Sequence, residues 1–221
     1  MDRPGAARRL TLIVDACLGA CQVALTDGAA VLAGASEPMQ RGHQERLAPM
    51  TAEVMARAGV AFGEVGRIAV TIGPGSFTGL RVGLAFAKGL RLATGAQLAG
   101  IGTLEALAAS AGAVPRAAGV VDARRGQVYL QAFAAGRALM APEALTTAAA
   151  AAMLGELGGG APFAIVGPGA DLLAATTDES PILHVAAASL QALVDLAAAA
   201  EASADLRPLY LRAPDALPAT P

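Results

Sequence analysis

Two short motifs each occur twice in the chain, in the same order, and each lies at the end of an apolar run. Val14–Gly19 and Val121–Gly126 both begin Val-Asp-Ala and place a glycine three residues after the alanine. Ile72–Gly75 and Val166–Gly169 both read as a β-branched residue followed by Gly-Pro-Gly. Because the two pairs keep their order, the sequence predicts one α/β unit that is used twice.

The apolar pattern predicts the elements of both units. For the first we expect helices at about Gln44–Ala58, at Phe77–Ala93 and from Thr103, with strands at Leu10–Asp15, Cys21–Thr26, Ala30–Ala35, Arg67–Ile72 and Gln97–Ile101. For the second we expect helices at Thr146–Leu157 and Leu190–Ala200, with strands at Ala117–Asp122, Gln127–Phe133, Phe163–Val166 and Ile182–Val185. We therefore expect a first lobe at 1–104, a second lobe at 105–212 whose last helix can pack back on the first, and a flexible tail at 213–221.

Composition narrows the class of protein. About 57 of the 221 residues are alanine, which favours helix but buries little surface. Mean hydropathy is +0.53, yet a charged residue interrupts every apolar stretch of about 18 residues, so we expect no membrane span. The start at Met1–Pro4 has no apolar signal region, and two cysteines make no disulfide framework, so we expect a cytoplasmic protein. A net charge of −2 with 3% aromatic residues argues against autonomous nucleic-acid binding.

The segment Gly73–Gly83 is rich in glycine and opens a predicted helix. Ser76 is expected to cap that helix, and free N–H groups at such a start can bind an anion. No Gly-Lys-Ser or Gly-Lys-Thr closes the segment, so it is not a Walker loop. The alternative, which the spacing favours, is a tight strand-to-helix turn whose small residues permit close packing.

The two long helices of the first unit carry more apolar surface than one contact with a sheet requires. The second is apolar nearly all round, which is typical of a helix covered on both sides. We therefore predict an association surface whose contact residues are Leu47, Met50, Val54, Leu80, Leu84 and Ala87. A charge there, as in Val54→Glu or Leu84→Glu, is expected to give a monomer that binds no partner.

Asp15 and Asp122 each end a predicted strand just before a hairpin that contains glycine. In actin-like ATPases, carboxylates at these two places help to organise metal-bound phosphates. The alternative is that each carboxylate accepts N–H groups of its own turn. We favour the turn, because neither hairpin has the tight Asp-x-Gly sequence that a close phosphate needs.

The cysteines and histidines do not have the spacing of a metal site. Cys17 and Cys21 are separated by three residues and are expected to be small buried side chains, while His43 is expected to open a helix. His184 stands far from the other histidine in sequence. We assign no catalytic, cofactor-binding or metal-ligating residue.

Six motifs, in order along nearly the whole chain, resemble the TsaB (YeaZ) family. The most specific is Gly73–Gly83, and the others are Ile13–Ala16 with Cys21–Leu25, His43–Pro49, Ile101–Leu107, Asp122–Tyr129 and Pro208–Arg212. The resemblance implies a duplicated actin-like (ASKHA, ribonuclease H-like) α/β fold with two lobes. It also implies a role in making N6-threonylcarbamoyladenosine at position 37 of tRNAs that read codons beginning with adenine.

The same resemblance implies a subunit without catalytic machinery. Such a subunit pairs with a catalytic TsaD-type paralogue, which is joined by a TsaE-type ATPase, and it contacts tRNA only indirectly. The chain departs from the family pattern at Ala16-Cys17 and at Pro168, where polar residues are usual, so no ATP site is carried over. Gly102–Leu107 lacks the metal-binding histidines of the catalytic relatives.

Two other functions stay open. The chain could be a small actin-like enzyme, either a nucleotide phosphotransferase or a glycoprotease-like hydrolase. It could also be a structural homodimer, since the same apolar helices can pair with themselves. The missing histidines argue against the protease, and the incomplete phosphate hairpins argue against the kinase.

Overall fold

The computed structural model describes residues 10–175 and 180–212. We expected no signal region at the start of the chain and a flexible tail at 213–221. Both segments lie outside the described residues. Within the described ranges, no helix combines the length and the apolar character needed to cross a membrane.

The first sheet has the strand order β3-β2-β1-β4-β5, in which β1 runs antiparallel to β2 and parallel to β4. Its strands are β1 Leu10–Asp15, β2 Ala20–Asp27, β3 Ala30–Pro38, β4 Arg67–Gly73 and β5 Gln97–Gly102. The helices of this part are α1 His43–Ala58, α2 Phe77–Thr94 and α3 Thr103–Ala109, with a 3-10 turn at Phe62–Glu64.

The second sheet repeats this topology. Its strands are β6 Arg116–Arg124, β7 Gln127–Ala134, β8 Arg137–Ala138, β9 Glu143–Thr146, β10 Ala164–Val166 and β11 Ile182–Leu183, and its helices are α4 Thr147–Gly158, α5 Asp171–Ala174 and α6 Leu190–Ala199. Strand β6 runs antiparallel to β7 and parallel to β10, as β1 does to β2 and β4. The predicted duplication is therefore confirmed, and every predicted element is present. The sequence analysis missed only β8, β9, α5 and the 3-10 turn, which are too short to show a period.

Helices and sheets alternate in five layers. Helices α1 and α2 cover the outer face of the first sheet, and α4 and α5 cover the outer face of the second. Helices α3 and α6 lie between the two sheets. Their shared cluster includes Ile13 from β1, Leu104 and Leu107 from α3, Val121 from β6 and Leu193 from α6.

Helix α6 comes late in the chain but packs on the first sheet. The Arg67 side chain at the start of β4 donates to Ala197 O at 3.2 Å and to Ala200 O, two of the last carbonyls of α6. A cation at a helix C-terminus satisfies carbonyls that have no partner inside the helix. Arg67 thereby joins the end of α6 to the first sheet.

The six predicted contact residues require a correction. Leu47, Met50, Val54, Leu80, Leu84 and Ala87 are all buried in the folded chain, none more than 4% exposed. Five of them form the inner faces of α1 and α2 against the first sheet, because a helix that covers a sheet turns its largest apolar side chains inward. The sixth, Leu80, packs beside Gly73 at the cleft. Their side chains are therefore not available to a partner.

Val54→Glu and Leu84→Glu are expected to prevent folding, rather than to give a folded monomer. Either change buries a carboxylate among apolar side chains without a partner, a cost of more than about 4 kcal/mol. Ala56→Glu is the matched control, because Ala56 lies on the same helix as Val54 but is exposed. Circular dichroism and urea unfolding measure the effect. A stable, cooperatively unfolding Val54→Glu chain would contradict the buried placement.

Candidate functional site: the cleft between the lobes

A cleft of about 880 Å³ lies between the two lobes. The first lobe lines it with the hairpin after β1 and the loop that opens α2, and the second lobe with the hairpin after β6 and the loop after β10. The duplicated motifs therefore face each other across one space. Its charged or titratable lining residues are His43, Arg81, Asp122, Arg124, Tyr129, Tyr210 and Arg212, together with the buried thiol Cys17.

Each Gly-Pro-Gly loop packs against the hairpin of its own lobe. A Cβ added to Gly75 would lie 2.7 Å from Cys17 O, and a Cβ added to Gly169 would lie 2.7 Å from Asp122 N. A backbone hydrogen bond also joins each loop to its hairpin strand. Ser76 N donates to Cys17 O at 2.8 Å, and Gly169 N donates to Val120 O at 3.2 Å. The glycines are thus needed for close packing, which is the alternative that the sequence analysis favoured over an anion site. Ser76 also caps α2 as predicted, because its Oγ accepts from Gly79 N.

The Asp15 carboxylate is buried and engaged by donors of its own lobe. Oδ1 accepts from Thr71 Oγ1 at 2.7 Å and from Cys17 N at 2.9 Å, and Oδ2 accepts from Gln22 Nε2 at 3.2 Å. Burial raises the pKa of Asp15, and the three hydrogen bonds partly oppose that rise. This carboxylate fastens β1, β2 and β4 together, and it does not project into the cleft as a metal ligand would.

Asp122 makes the corresponding turn contact in the second lobe. Its Oδ1 accepts from Arg124 N at 2.7 Å, and its Oδ2 lies 3.1 Å from the Arg124 guanidinium. The predicted turn function is therefore confirmed for both aspartates. Within the described residues, no group of three or more His, Cys, Asp and Glu is placed to hold a metal ion.

The cysteines and histidines occupy structural positions. Cys17 and Cys21 are buried free thiols, and burial raises the pKa of both, that of Cys21 to about 11. His43 begins α1, as predicted, and its Nε2 lies 3.1 Å from Leu18 O in the hairpin after β1. His184 is not among the residues that line this cleft, and it pairs with Asp171 at 3.2 Å.

A C-terminal strap, residues 206–212, crosses the mouth of the cleft. Leu209 N donates to Ile72 O of the first lobe at 2.7 Å, and the Arg212 guanidinium donates to Ala123 O of the second at 2.6 Å. Tyr210 in the strap meets Phe77 of α2 with ring centroids 5.7 Å apart. The sequence analysis used Pro208–Arg212 only as a family motif and missed this contact, because nothing local in either segment indicates that the two meet.

Comparison with known proteins agrees with this geometry. The family model for TsaD, the tRNA N6-adenosine threonylcarbamoyltransferase, matches residues 35–206. The chain is 35% identical to the threonylcarbamoyladenosine biosynthesis protein TsaB of Escherichia coli over 53% of this chain and 52% of that protein. It is 33% identical to an uncharacterised protein of Mycobacterium tuberculosis over 80% of this chain and 79% of that protein. The chain spans about half the length of the TsaB relatives it matches.

Among solved structures, YeaZ from Pseudomonas aeruginosa superimposes with a TM-score of 0.79 at 27% identity, over 91% of this chain and 99% of that one. The duplicated sheets, the intervening helices and the cleft define an actin-like protein with two lobes. The chain belongs to the TsaB (YeaZ) family, which the TsaD family model also recognises.

The raised pKa of Asp15 predicts a specific pH dependence. Because the folded-state pKa lies above the ordinary 3.8, the folded chain holds this proton more tightly than the unfolded chain does. Stability contributed by the protonated form is therefore lost as pH rises through the folded-state pKa, by roughly 1.4 kcal/mol per pH unit inside the window. Asp15→Asn does not titrate. The free energy of unfolding of the parent minus that of Asp15→Asn should fall with rising pH in urea titrations, and a constant difference would contradict the assignment.

Proposed function

We propose that this chain is the non-catalytic, activating subunit of a tRNA threonylcarbamoyladenosine-forming complex. It works in the cytoplasm as a heterodimer with a catalytic TsaD-type subunit, and a TsaE-type ATPase joins the pair. The tRNA is held mostly by the catalytic subunit. The observation that carries the proposal is the engagement of both strand-end carboxylates by their own lobes, in a chain of the TsaB family.

The engaged carboxylates favour a subunit over an enzyme. Phosphate chemistry in a cleft of this kind needs carboxylate oxygens that are free to hold a metal ion. Thr71, Cys17 and Gln22 already donate to Asp15, and Arg124 donates to Asp122. Recruiting either carboxylate for a metal would leave those donors without their acceptor, and all three donors to Asp15 are buried.

The contact with the catalytic subunit is assigned to the α1–α2 outer face. Its residues are exposed and include Ala48, Ala52, Glu53, Ala85, Lys88 and Leu92. Leu92 is 89% exposed, although it is a large apolar side chain on a well-formed helix. Small side chains beside an exposed leucine permit close helix packing, and burying them contributes roughly 25 cal/mol per Å².

The charges on this face favour a related protein as the occupant. Helix α1 presents Glu45 and Glu53, the latter paired with Arg46 of the same helix, whereas α2 presents Lys88. When two similar surfaces meet about a two-fold axis, α1 of one subunit lies against α2 of the other, so that opposite charges face each other. The family model of the catalytic enzyme matches this chain across both helices, which supports such a pairing. A homodimer of the isolated chain would use the same face.

Leu92→Glu and Ala52→Glu are expected to leave the chain folded and to weaken binding of the catalytic subunit at least about tenfold, because each places a charge in the centre of the contact. Leu139→Glu and Ala152→Glu are the matched controls, since both residues are exposed in the second lobe. Titration calorimetry and size-exclusion chromatography measure binding. Unchanged binding by Leu92→Glu would contradict the proposed face.

The non-catalytic role is tested by complementation. In cells depleted of this protein, threonylcarbamoyladenosine in total tRNA should fall. A chain with Asp15→Asn and Asp122→Asn should restore it, because neither carboxylate touches reacting atoms, whereas the Leu92→Glu chain should not. Mass spectrometry of digested tRNA measures the nucleoside. Failure of the double variant, while it stays folded and bound to the catalytic subunit, would favour an active cleft and the enzyme alternative.

A further inference from the structure

We infer that the mouth of the cleft is a contact site for an unpaired nucleotide of the RNA substrate, stacked on Phe77 and Tyr210 with its phosphate beside Arg124. The inference rests on the proposed function, which brings tRNA to this complex. It adds a direct contact where the sequence analysis expected only an indirect one.

The ring pair is the first observation. The chain has five phenylalanines, two tyrosines and no tryptophan. Phe77 and Tyr210 lie far apart in sequence yet meet at 5.7 Å, and they are 49% and 46% exposed. Rings of a chain with so few aromatic residues would ordinarily be used in the core, as Phe163 is. Two half-exposed rings in contact are typical of a surface on which a base stacks.

Arg81 holds the pair in place. Its guanidinium lies 3.7 Å from the centre of the Phe77 ring, and its Nε donates to Tyr210 Oη at 3.2 Å. One side chain therefore orients both rings before any ligand arrives, which lowers the entropy cost of binding. A guanidinium plane is itself a surface on which bases stack.

The charge of the cleft is the second observation. Arg81, Arg124 and Arg212 line it, and Asp122 is the only carboxylate among its lining residues. The whole chain carries a net charge of −2, so the cleft lining is positively charged although the chain as a whole is negatively charged. The Arg124 side chain is 85% exposed and lines the cleft, where its guanidinium, which also lies 3.1 Å from Asp122 Oδ2, can meet a phosphate.

The position of the site favours RNA over a protein segment. Phe77 and Arg81 stand at the first turns of α2, beside the α1–α2 outer face and turned into the cleft. RNA bound mainly by the catalytic subunit on that face would reach this mouth with one exposed nucleotide. The outer face offers alanines and a leucine to a protein, whereas the mouth offers rings and guanidinium groups, which suit a base and its phosphate.

The test measures binding of an unmodified tRNA transcript to the complex of the full chain with its catalytic subunit. Phe77→Ala and Tyr210→Ala should each weaken binding about fivefold or more. Phe62→Ala is the matched control, because it removes a ring that is 37% exposed outside the cleft lining, and it should bind like the parent. Arg124→Ala should reduce the slope of log affinity against log salt by about 0.7, whereas Arg137→Ala, a change of equal charge outside the cleft lining, should not.

Competition identifies the ligand. An RNA duplex without unpaired nucleotides should compete poorly, and so should free adenosine monophosphate. Undiminished tRNA binding by Phe77→Ala and Tyr210→Ala would overturn the inference, as would equally strong competition by the free nucleotide. Loss of the catalytic subunit from a folded Phe77→Ala chain would assign the rings to a protein contact instead, and that too overturns it. If Phe77→Ala fails to fold, Tyr210→Ala and Arg124→Ala decide. A parent chain that never binds the catalytic subunit would refute the proposed function itself.

Discussion

The apolar layer between the two sheets is the contact on which the rest of this protein depends. Helices α3 and α6 fill it, and side chains from both sheets, such as Ile13 and Val121, pack into one cluster with them. The layer joins the lobes along their inner faces. What remains between the lobes is the cleft, in which the duplicated hairpins and Gly-Pro-Gly loops face each other. The distance between those hairpins is therefore set by the packing of this layer.

Small residues of the first hairpin pack into the structure beside the cleft. Cys17 lies against Gly75, and its Sγ is 3.1 Å from Thr103 Oγ1 at the start of α3. The first hairpin is thus tied to the middle layer, while Asp15 ties the same hairpin to the first sheet. The cleft is open, but Asp15 and Cys17 of the first hairpin are buried beneath it. This arrangement supports the proposed non-catalytic role.

The sequence predicted every long element and the duplication, because apolar periodicity and paired motifs are local signals. It did not predict that the fold itself buries the residues that we assigned to a partner contact. Periodicity marks Val54 and Leu84 as apolar but does not say whether a sheet or another chain covers them, and here the sheet does. The exposed sides of the same helices carry alanines beside charged residues, and alanine carries no signal in so alanine-rich a chain. Phe77 and Tyr210 were missed for a different reason, since only the folded path of the strap brings them together.

The placement of α6 has a consequence for how the chain folds during synthesis. The strands of the first sheet are complete at Gly102, yet one face of that sheet is covered by residues 190–199. Until those residues leave the ribosome, Ile13, Ala24 and Ala99 lack part of their cover, and Arg67 lacks the carbonyls it caps. The nascent first lobe therefore exposes an apolar surface while the second lobe is being synthesised, and chaperones bind such surfaces. A truncation before α6 should consequently aggregate, rather than yield an independent first lobe.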